Sequence, residues 1–249
     1  MEVLGLDIGG SGIKAAPVDI TKGEFTQDRF RLETPQPATP ENMLDTISEV
    51  VSHFNWKGPI GCGFPAVVKH DVINTAANID DSWIGVNAGK IIFDRTGCRT
   101  HMMNDVDAAG LAEMTFGAGV GQKGTVMVMA LGTGIGTSIF TDGVLFPNTE
   151  FGHLVLKNGK KAEVYASNAV RKSEELTWSE WTQRLNEIIA YYDFLLWPDL
   201  YIIGGGVIKY HEMFLPQIKS KARVIPARLL NHAGIIGSAL AYKYAEGNG

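Results

Sequence analysis

Residues 3–19 read VLGLDIGGSGIKAAPVD, and how this stretch folds decides the architecture of the whole chain. A short apolar run leads into Asp7. Gly9, Gly10, Ser11 and Gly12 then form a turn-like cluster, and Lys14 is followed by more small and apolar residues. The segment from Gly10 to Ala15 fits the G-x-G-x-x-A pattern of dinucleotide-binding folds, which carries weight only if a helix follows the glycines. Pro17 stands where that helix would run, and a proline in a helix interior costs about 3 kcal/mol. Thr21, Lys22 and Gly23 then read as a turn. Residues 13–18 therefore predict a second strand, with 9–12 as the hairpin between the two. The dinucleotide reading fails on this context. Ile13 also separates Gly12 from Lys14, so the GxxxxGK[ST] phosphate loop is absent.

The same unit returns later in the chain. An apolar run at 125–131 predicts a strand, Gly132, Thr133, Gly134 and Gly136 form a second glycine turn, and 137–140 resume as a strand. Strand, glycine turn, strand occurring twice at this separation points to an internal duplication and two similar lobes. Around these hairpins, spacing predicts a helix at 40–54 with Met43, Ile47, Val50, Val51 and Phe54 on one face. Strands are predicted at 59–64, ending in Gly63-Phe64-Pro65, and at 100–103, ending in Asn104-Asp105. A helix at 106–116 follows. A further helix at 176–192 has Thr177 as its N-cap, a strand at 200–203 runs into Gly204, Gly205 and Gly206, and a helix at 233–244 closes the chain. Alternating strands and helices place the protein in the α/β class. The expected division is an N-terminal lobe over 1–106, completed by the C-terminal helix 233–249, and a larger lobe over 107–232.

Composition narrows the function classes. The chain has 249 residues, 45% of them hydrophobic and 20% charged, with a net charge of −5. No general attraction to nucleic acid or membrane is expected, and an anionic ligand needs a local basic patch. Cys62 and Cys98 form no CxxC pair, which argues against a zinc site or a disulfide framework and fits a reducing cytoplasm. No run approaches the ~20 apolar residues of a membrane helix.

Three glycine clusters each follow a strand. Glycine lets the main chain approach an anion closely and aim several N–H groups at it. Any one cluster could be no more than a tight turn. Two that share a frame, with Ser11 and Thr133 as added donors, favour a divided phosphate site. Asn104-Asp105 lies where a strand meets a helix, so both residues suit helix capping. The same position also presents a carboxylate at the carboxyl ends of strands, where open α/β sheets bind ligands and where a general base would be placed. Glu150 and His153, three apart beside Gly152, read either as surface residues or as acceptors for adjacent hydroxyls, and Glu163 is a third of that kind.

The motifs Leu6-Asp7-Ile8-Gly9-Gly10 with Lys14, Gly63-Phe64-Pro65, Asn104-Asp105, Gly132-Thr133-Gly134-Ile135-Gly136, Glu150-Phe151-Gly152-His153 and Gly204-Gly205-Gly206 occur in the order found in the ROK family of sugar kinases. The resemblance covers essentially the whole chain. The stretches FPNTEFGHLVL, AEVYASNAVRK, LTWSEWTQRLN and WPDLYIIGGGVIKY resemble the family's polyphosphate-using branch most. The resemblance implies the actin/hexokinase/Hsp70-like ATPase fold, two ribonuclease-H-like lobes with a cleft between them. It implies a Mg²⁺-dependent glucokinase that moves the terminal phosphoryl group of polyphosphate, and also ATP, to the glucose 6-hydroxyl. Asp105 would take the proton. Asn104, Glu150, His153 and Glu163 would hold other hydroxyls, and Asn78, Gly63 and Pro65 would shape the sugar pocket. Gly9, Gly10, Ser11, Gly12, Lys14, Gly132, Thr133, Gly134 and Gly136 would cradle donor phosphates. Gly204, Gly205 and Gly206 would lie near an adenosine, and Asp7 would orient Mg²⁺ through water. A homodimer is implied as well.

Many members carry a cysteine-rich zinc motif between the positions of His153 and Glu163. Residues 154–162 hold no cysteine here, so no zinc is expected and other packing must support His153. The chain begins at the first phosphate strand, so it is not expected to be a DNA-binding repressor of the family. Kinases with ATP and a different sugar (mannose, fructose or an N-acetylated hexosamine), and a non-catalytic sugar sensor, are the alternatives. Lys14, Lys160, Lys161, Arg171 and Lys172 are candidates for a basic track along polyphosphate, or simply a solvated charged face.

Overall fold

The computed structural model describes residues 1–77 and 79–247; Asn78, one of the expected sugar-pocket residues, lies outside them. Two compact units divide the chain, one of Met1–Ala112 with the segment from His232, the other of Glu113–Asn231.

The first unit is built on the opening hairpin. Strands β1 (Glu2–Gly9) and β2 (Gly12–Asp19) pair antiparallel, with Gly9 opposite Gly12 and Asp7 opposite Lys14. Pro17 sits inside β2, so this segment is extended, as its sequence requires. Two short strands, β3 (Glu24–Phe25) and β4 (Phe30–Leu32), both pair with β2. Helix α1 (Pro40–His53) starts where Thr39 caps it and Pro40 presets its first turn, and it buries Met43, Ile47, Val50 and Val51. Strand β5 (Ile60–Phe64) lies parallel to β1. A small ribbon of β6 (Val68–Lys69) and β7 (Val72–Ile73) follows, then α2 (Ala88–Thr96), which sequence periodicity does not reveal. Its signals are its ends: Asn87 caps it, and Gly97 closes it at φ 72°. Strand β8 (Thr100–Asn104) pairs parallel with β5, and α3 (Asp105–Phe116) begins one residue earlier than spacing predicts.

In the second unit β9 (Thr125–Leu131) and β10 (Ile135–Thr141) form the second glycine hairpin, and β11 (Val144–Phe146) borders β10. Gly136 belongs to β10 rather than to the turn, because Ile135 already pairs with Leu131. Two short helices, α4 (Ala162–Ala166) and α5 (Asn168–Ser173), precede α6 (Trp178–Leu196). A reciprocal capping box between Thr177 and Glu180 starts α6, which runs one turn beyond the expected end at 192. Trp181, Leu185, Ile188, Ile189 and Tyr192 form its buried stripe, worth roughly 1.5–3 kcal/mol for each large apolar side chain. Strand β12 (Leu200–Gly204) pairs parallel with β9; after the short α7 (His211–Phe214), β13 (Arg223–Pro226) pairs with β12.

Helix α8 (Ala233–Gly247) closes the first unit. It packs on the sheet through glycine: a Cβ on Gly61 would stand 1.9 Å from the Ser238 carbonyl oxygen. The sheets share one plan. Their orders are β2-β1-β5-β8 and β10-β9-β12-β13, each an antiparallel hairpin followed by two parallel strands.

Candidate active site

In the first unit the candidate residues gather at the carboxyl edge of three adjacent parallel strands. Asp7 of β1 stands beside Gly63 of β5, and Phe64 stands beside Asn104 of β8. Gly63 is tightly enclosed. Its N–H donates to Ser238 Oγ at 3.0 Å, and a Cβ there would lie 2.7 Å from that oxygen and 3.5 Å from the Asp105 α-carbon. Pro65 follows in a turn closed by the Ala66 N–H on the Phe64 carbonyl.

Asn104 answers the capping question for itself. Its Oδ1 accepts from Val106 N at 2.9 Å and from Asp107 N at 3.0 Å, while its Nδ2 donates to the Ala66 carbonyl at 3.1 Å. It is buried, and these bonds join the start of α3 to the turn after Gly63-Phe64-Pro65. Asp105 is the first residue of α3, half-buried, with Oδ1 accepting from Val106 N at 2.9 Å.

At the first hairpin Lys14 Nζ donates to Asp7 Oδ2 at 2.9 Å. Gly234, in the first turn of α8, abuts the same carboxylate; a Cβ there would lie 2.6 Å from Oδ2. Asp7 therefore stands against the amino end of a 15-residue helix, where a negative charge is favoured. Among the described residues no group of three or more His, Cys, Asp or Glu side chains could hold a metal. A cation near Asp7 would have fewer than three such side chains to hold it and would take its remaining ligands from phosphates and water. That donor set suits Mg²⁺, which keeps several waters and needs few carboxylates. Ser11 is exposed at the hairpin tip, and Gly9 is held by Thr34, whose Oγ1 donates to its carbonyl at 2.5 Å.

The second unit brings the hydroxyl-binding candidates together. Residues Phe151–His153 form a single helical turn, and Glu150, Phe151, His153 and Leu154 line an open pocket of ≈ 320 Å³. His153 lies between two carboxylates, with Nε2 3.2 Å from Glu163 Oε1 and Nδ1 3.9 Å from Glu150 Oε2. Burial pushes the Glu150 carboxyl above its usual range, and Glu163 adds to this, while His153 pulls the other way.

The support for His153 is a hairpin. Residues 154–162 fold back on themselves through a Val155–Lys161 bridge, with Leu156 N on the Lys160 carbonyl and Ala162 N on the Leu154 carbonyl, both at 2.9 Å. Leu156 and Ala162 anchor it in the core, and Glu163 returns directly beside His153. Two further anchors escape sequence reading. Thr137 Oγ1 donates to the Thr149 carbonyl at 3.0 Å while Thr149 Oγ1 donates to the Thr137 carbonyl at 2.8 Å. Tyr192 donates to the Phe151 carbonyl at 2.8 Å, from 41 residues away in sequence.

The second glycine turn touches this cluster. A Cβ on Gly134 would lie 2.5 Å from Glu163 Oε2, and one on Gly152 would lie 2.0 Å from the Ile135 carbonyl oxygen. Gly132 accepts from Ala169 N at 3.1 Å, and Thr133 is exposed at the tip. Gly204, Gly205 and Gly206 end β12 next to β9; Gly205 has φ 84°, and a Cβ on it would lie 2.6 Å from Leu131 backbone atoms. The turn at Gly132, Thr133 and Gly134 and the triple glycine thus lie at the ends of the neighbouring parallel strands β9 and β12.

Comparison with known proteins carries the same pattern. The profile of the ROK family matches residues 3–164. The chain is 44% identical to a polyphosphate glucokinase of Mycobacterium tuberculosis, over 95% of this chain and 89% of that one. The chain belongs to the ROK family. A solved inorganic polyphosphate/ATP-glucomannokinase from Arthrobacter sp. strain KM superposes with a TM-score of 0.93 at 41% identity, covering 98% of this chain and 99% of that one. A ROK family glucokinase from Streptomyces griseus, solved with glucose and AMPPNP, superposes at 0.77 with 26% identity, covering 96% and 98%. The fold is accordingly the actin/hexokinase-like ATPase fold of ROK sugar kinases, in which each of the two hairpin-led sheets described above is one repeat. No helix among the described residues is long and apolar enough to cross a membrane.

Proposed function

We propose that this ROK protein is a glucokinase that transfers the terminal phosphoryl group of inorganic polyphosphate to the 6-hydroxyl of glucose. The observation that carries this reading is the 44% identity to a polyphosphate glucokinase over nearly the whole chain. ATP is a second donor in this reading, favoured by the polyphosphate/ATP description of the Arthrobacter relative.

Asp105 is the general base, taking the proton of the attacking hydroxyl from the carboxyl edge of the first sheet. Asn104 positions it by capping α3. Glu150, His153 and Glu163 accept from and orient other sugar hydroxyls, and Gly63 and Pro65 shape the pocket, with Asn78 assigned to it from sequence. Backbone N–H groups of the two glycine hairpins, with Ser11, Thr133 and Lys14, hold donor phosphates; the triple glycine 204–206 receives an adenosine when ATP is the donor. Mg²⁺, when bound, neutralises charge on the transferring group, and Asp7 is the residue that orients it. Catalysis is then mainly positioning and charge stabilisation, as is general for phosphoryl transfer. The working form in this reading is a cytoplasmic homodimer.

The test is glucose phosphorylation with polyphosphate or ATP as sole donor. Polyphosphate-supported turnover is expected, and turnover with ATP but none with polyphosphate overturns the donor assignment. Asp105→Asn should lower kcat about 10²–10⁴-fold while the protein still binds glucose. Undiminished turnover in that variant would remove Asp105 from the role of base.

A further inference from the structure

Cross-strand register places three charged side chains in one row of the first sheet: Asp7 on β1, Lys14 on β2 and Arg31 on β4. Lys14 and Arg31 are directly opposite each other, an arrangement that costs stability unless something compensates it. Asp7 compensates only one of the two, through its 2.9 Å bond to Lys14. Arg31 is exposed, and among the described residues no carboxylate pairs with its guanidinium. It turns instead along the strand toward the glycine hairpin, where its Nη2 donates to the Ser11 carbonyl at 3.1 Å. Gly12 makes room for it: a Cβ there would lie 2.8 Å from Nη2, 2.9 Å from Nε and 3.0 Å from Cζ. The guanidinium is thus seated against the hairpin backbone, and of its five donors one bonds the Ser11 carbonyl while no other hydrogen bond joins it to a described residue.

We propose that Arg31 is a ligand for the donor chain, holding a phosphate of the polyphosphate other than the one transferred. This rests on the donor reading above and extends it to a residue outside the family motifs. A planar, permanently charged fork with unused donors suits phosphate better than a point charge does. Its place beside the hairpin adds a positive charge where an acidic chain most needs one. Lys14, already engaged by Asp7, cannot supply that charge alone. Arg31 then sets how tightly a long polyanion is held and has little part in the chemical step.

The experiment compares wild type, Arg31→Gln, Arg31→Lys, Gly12→Ala and, as a control for bulk charge, Lys57→Gln, at an exposed lysine between α1 and β5. Binding of long-chain linear polyphosphate is measured by calorimetry, and KM and kcat are measured with saturating glucose. Loss of a charge-assisted bond predicts about tenfold weaker binding and about tenfold higher KM in Arg31→Gln, with kcat and glucose KM within about twofold of wild type. Arg31→Lys should recover part of the loss. Gly12→Ala should weaken binding in the same direction by displacing the guanidinium, and should add nothing further in the Arg31→Gln background. Unchanged binding in Arg31→Gln, an equal loss in Lys57→Gln, or a fall confined to kcat overturns the proposal. If Arg31→Gln fails to fold by circular dichroism, Arg31→Lys decides, since unchanged binding there is equally fatal. Should the wild type bind polyphosphate yet use only ATP, the donor reading fails, and the calorimetric comparison still judges Arg31. A wild type that binds no polyphosphate overturns both.

Discussion

At the scale of single residues, the second unit ties the second glycine hairpin to the His153 cluster through Glu163. Glu163 bonds to His153 and also fills the space in which a Gly134 side chain would sit. Gly134→Ala must therefore push the Glu163 carboxylate aside and break its 3.2 Å approach to His153. The expected outcome is a glucose KM raised about tenfold, equivalent to about 1.4 kcal/mol, with a smaller change in kcat. Gly132→Ala meets no atom within 4 Å and should leave glucose KM unchanged, so steady-state kinetics on the pair separates crowding of Glu163 from a general disturbance of the turn. The residue types at these positions were legible in the sequence. Which of them touch was not, because a carboxylate that could face solvent is indistinguishable in one dimension from a carboxylate held by a histidine.

At the scale of elements, the turn carrying Glu150 and His153 has little regular structure of its own. It is held by Tyr192 of α6 through the Phe151 carbonyl, and by the reciprocal Thr137 and Thr149 bonds to β10. Tyr192 is fully buried, and burial pushes its hydroxyl well above the usual tyrosine range, so it stays a neutral donor at all working pH values. Tyr192→Phe keeps the ring and leaves the Phe151 carbonyl without this donor. A loss of about 1–3 kcal/mol in urea unfolding is expected, together with a higher glucose KM and an intact polyphosphate KM. A variant of wild-type stability would show that water replaces the hydroxyl. Hairpins, caps and the long amphipathic helices were readable because their causes lie within a few residues: Pro17 excludes a helix, and Thr177 with Glu180 starts one. Strand β4 was not readable. Three residues are too few for a period, and β4 exists only because β2 offers it an edge.

At the scale of the molecule, a chain of net charge −5 is assigned a polyanionic donor. Long-range repulsion and local attraction then act in opposite directions, and both are screened by salt over about 10 Å at 0.1 M. Donor affinity should be governed by the local basic row of Lys14 and Arg31. Raising ionic strength is therefore expected to increase polyphosphate KM severalfold while glucose KM, which involves an uncharged ligand, stays constant. Initial-rate measurements across a salt series check this, and a glucose KM that moves in parallel would indicate a structural effect of salt instead.

By itself, the sequence determined the alternation of strands and helices, the two glycine hairpins, their duplication and the family to which the chain belongs. Each of these rests on local backbone preference or on motifs whose order is independent of three-dimensional contact. Only the tertiary structure decided that Lys14 is taken by Asp7, that Arg31 reaches the first hairpin, and that a nine-residue loop at 154–162 closes on itself to return Glu163 to His153. The physical reason is that these pairs are selected by which strands become neighbours and which surfaces bury one another. Those choices belong to whole sheets, and no short window of residues contains them.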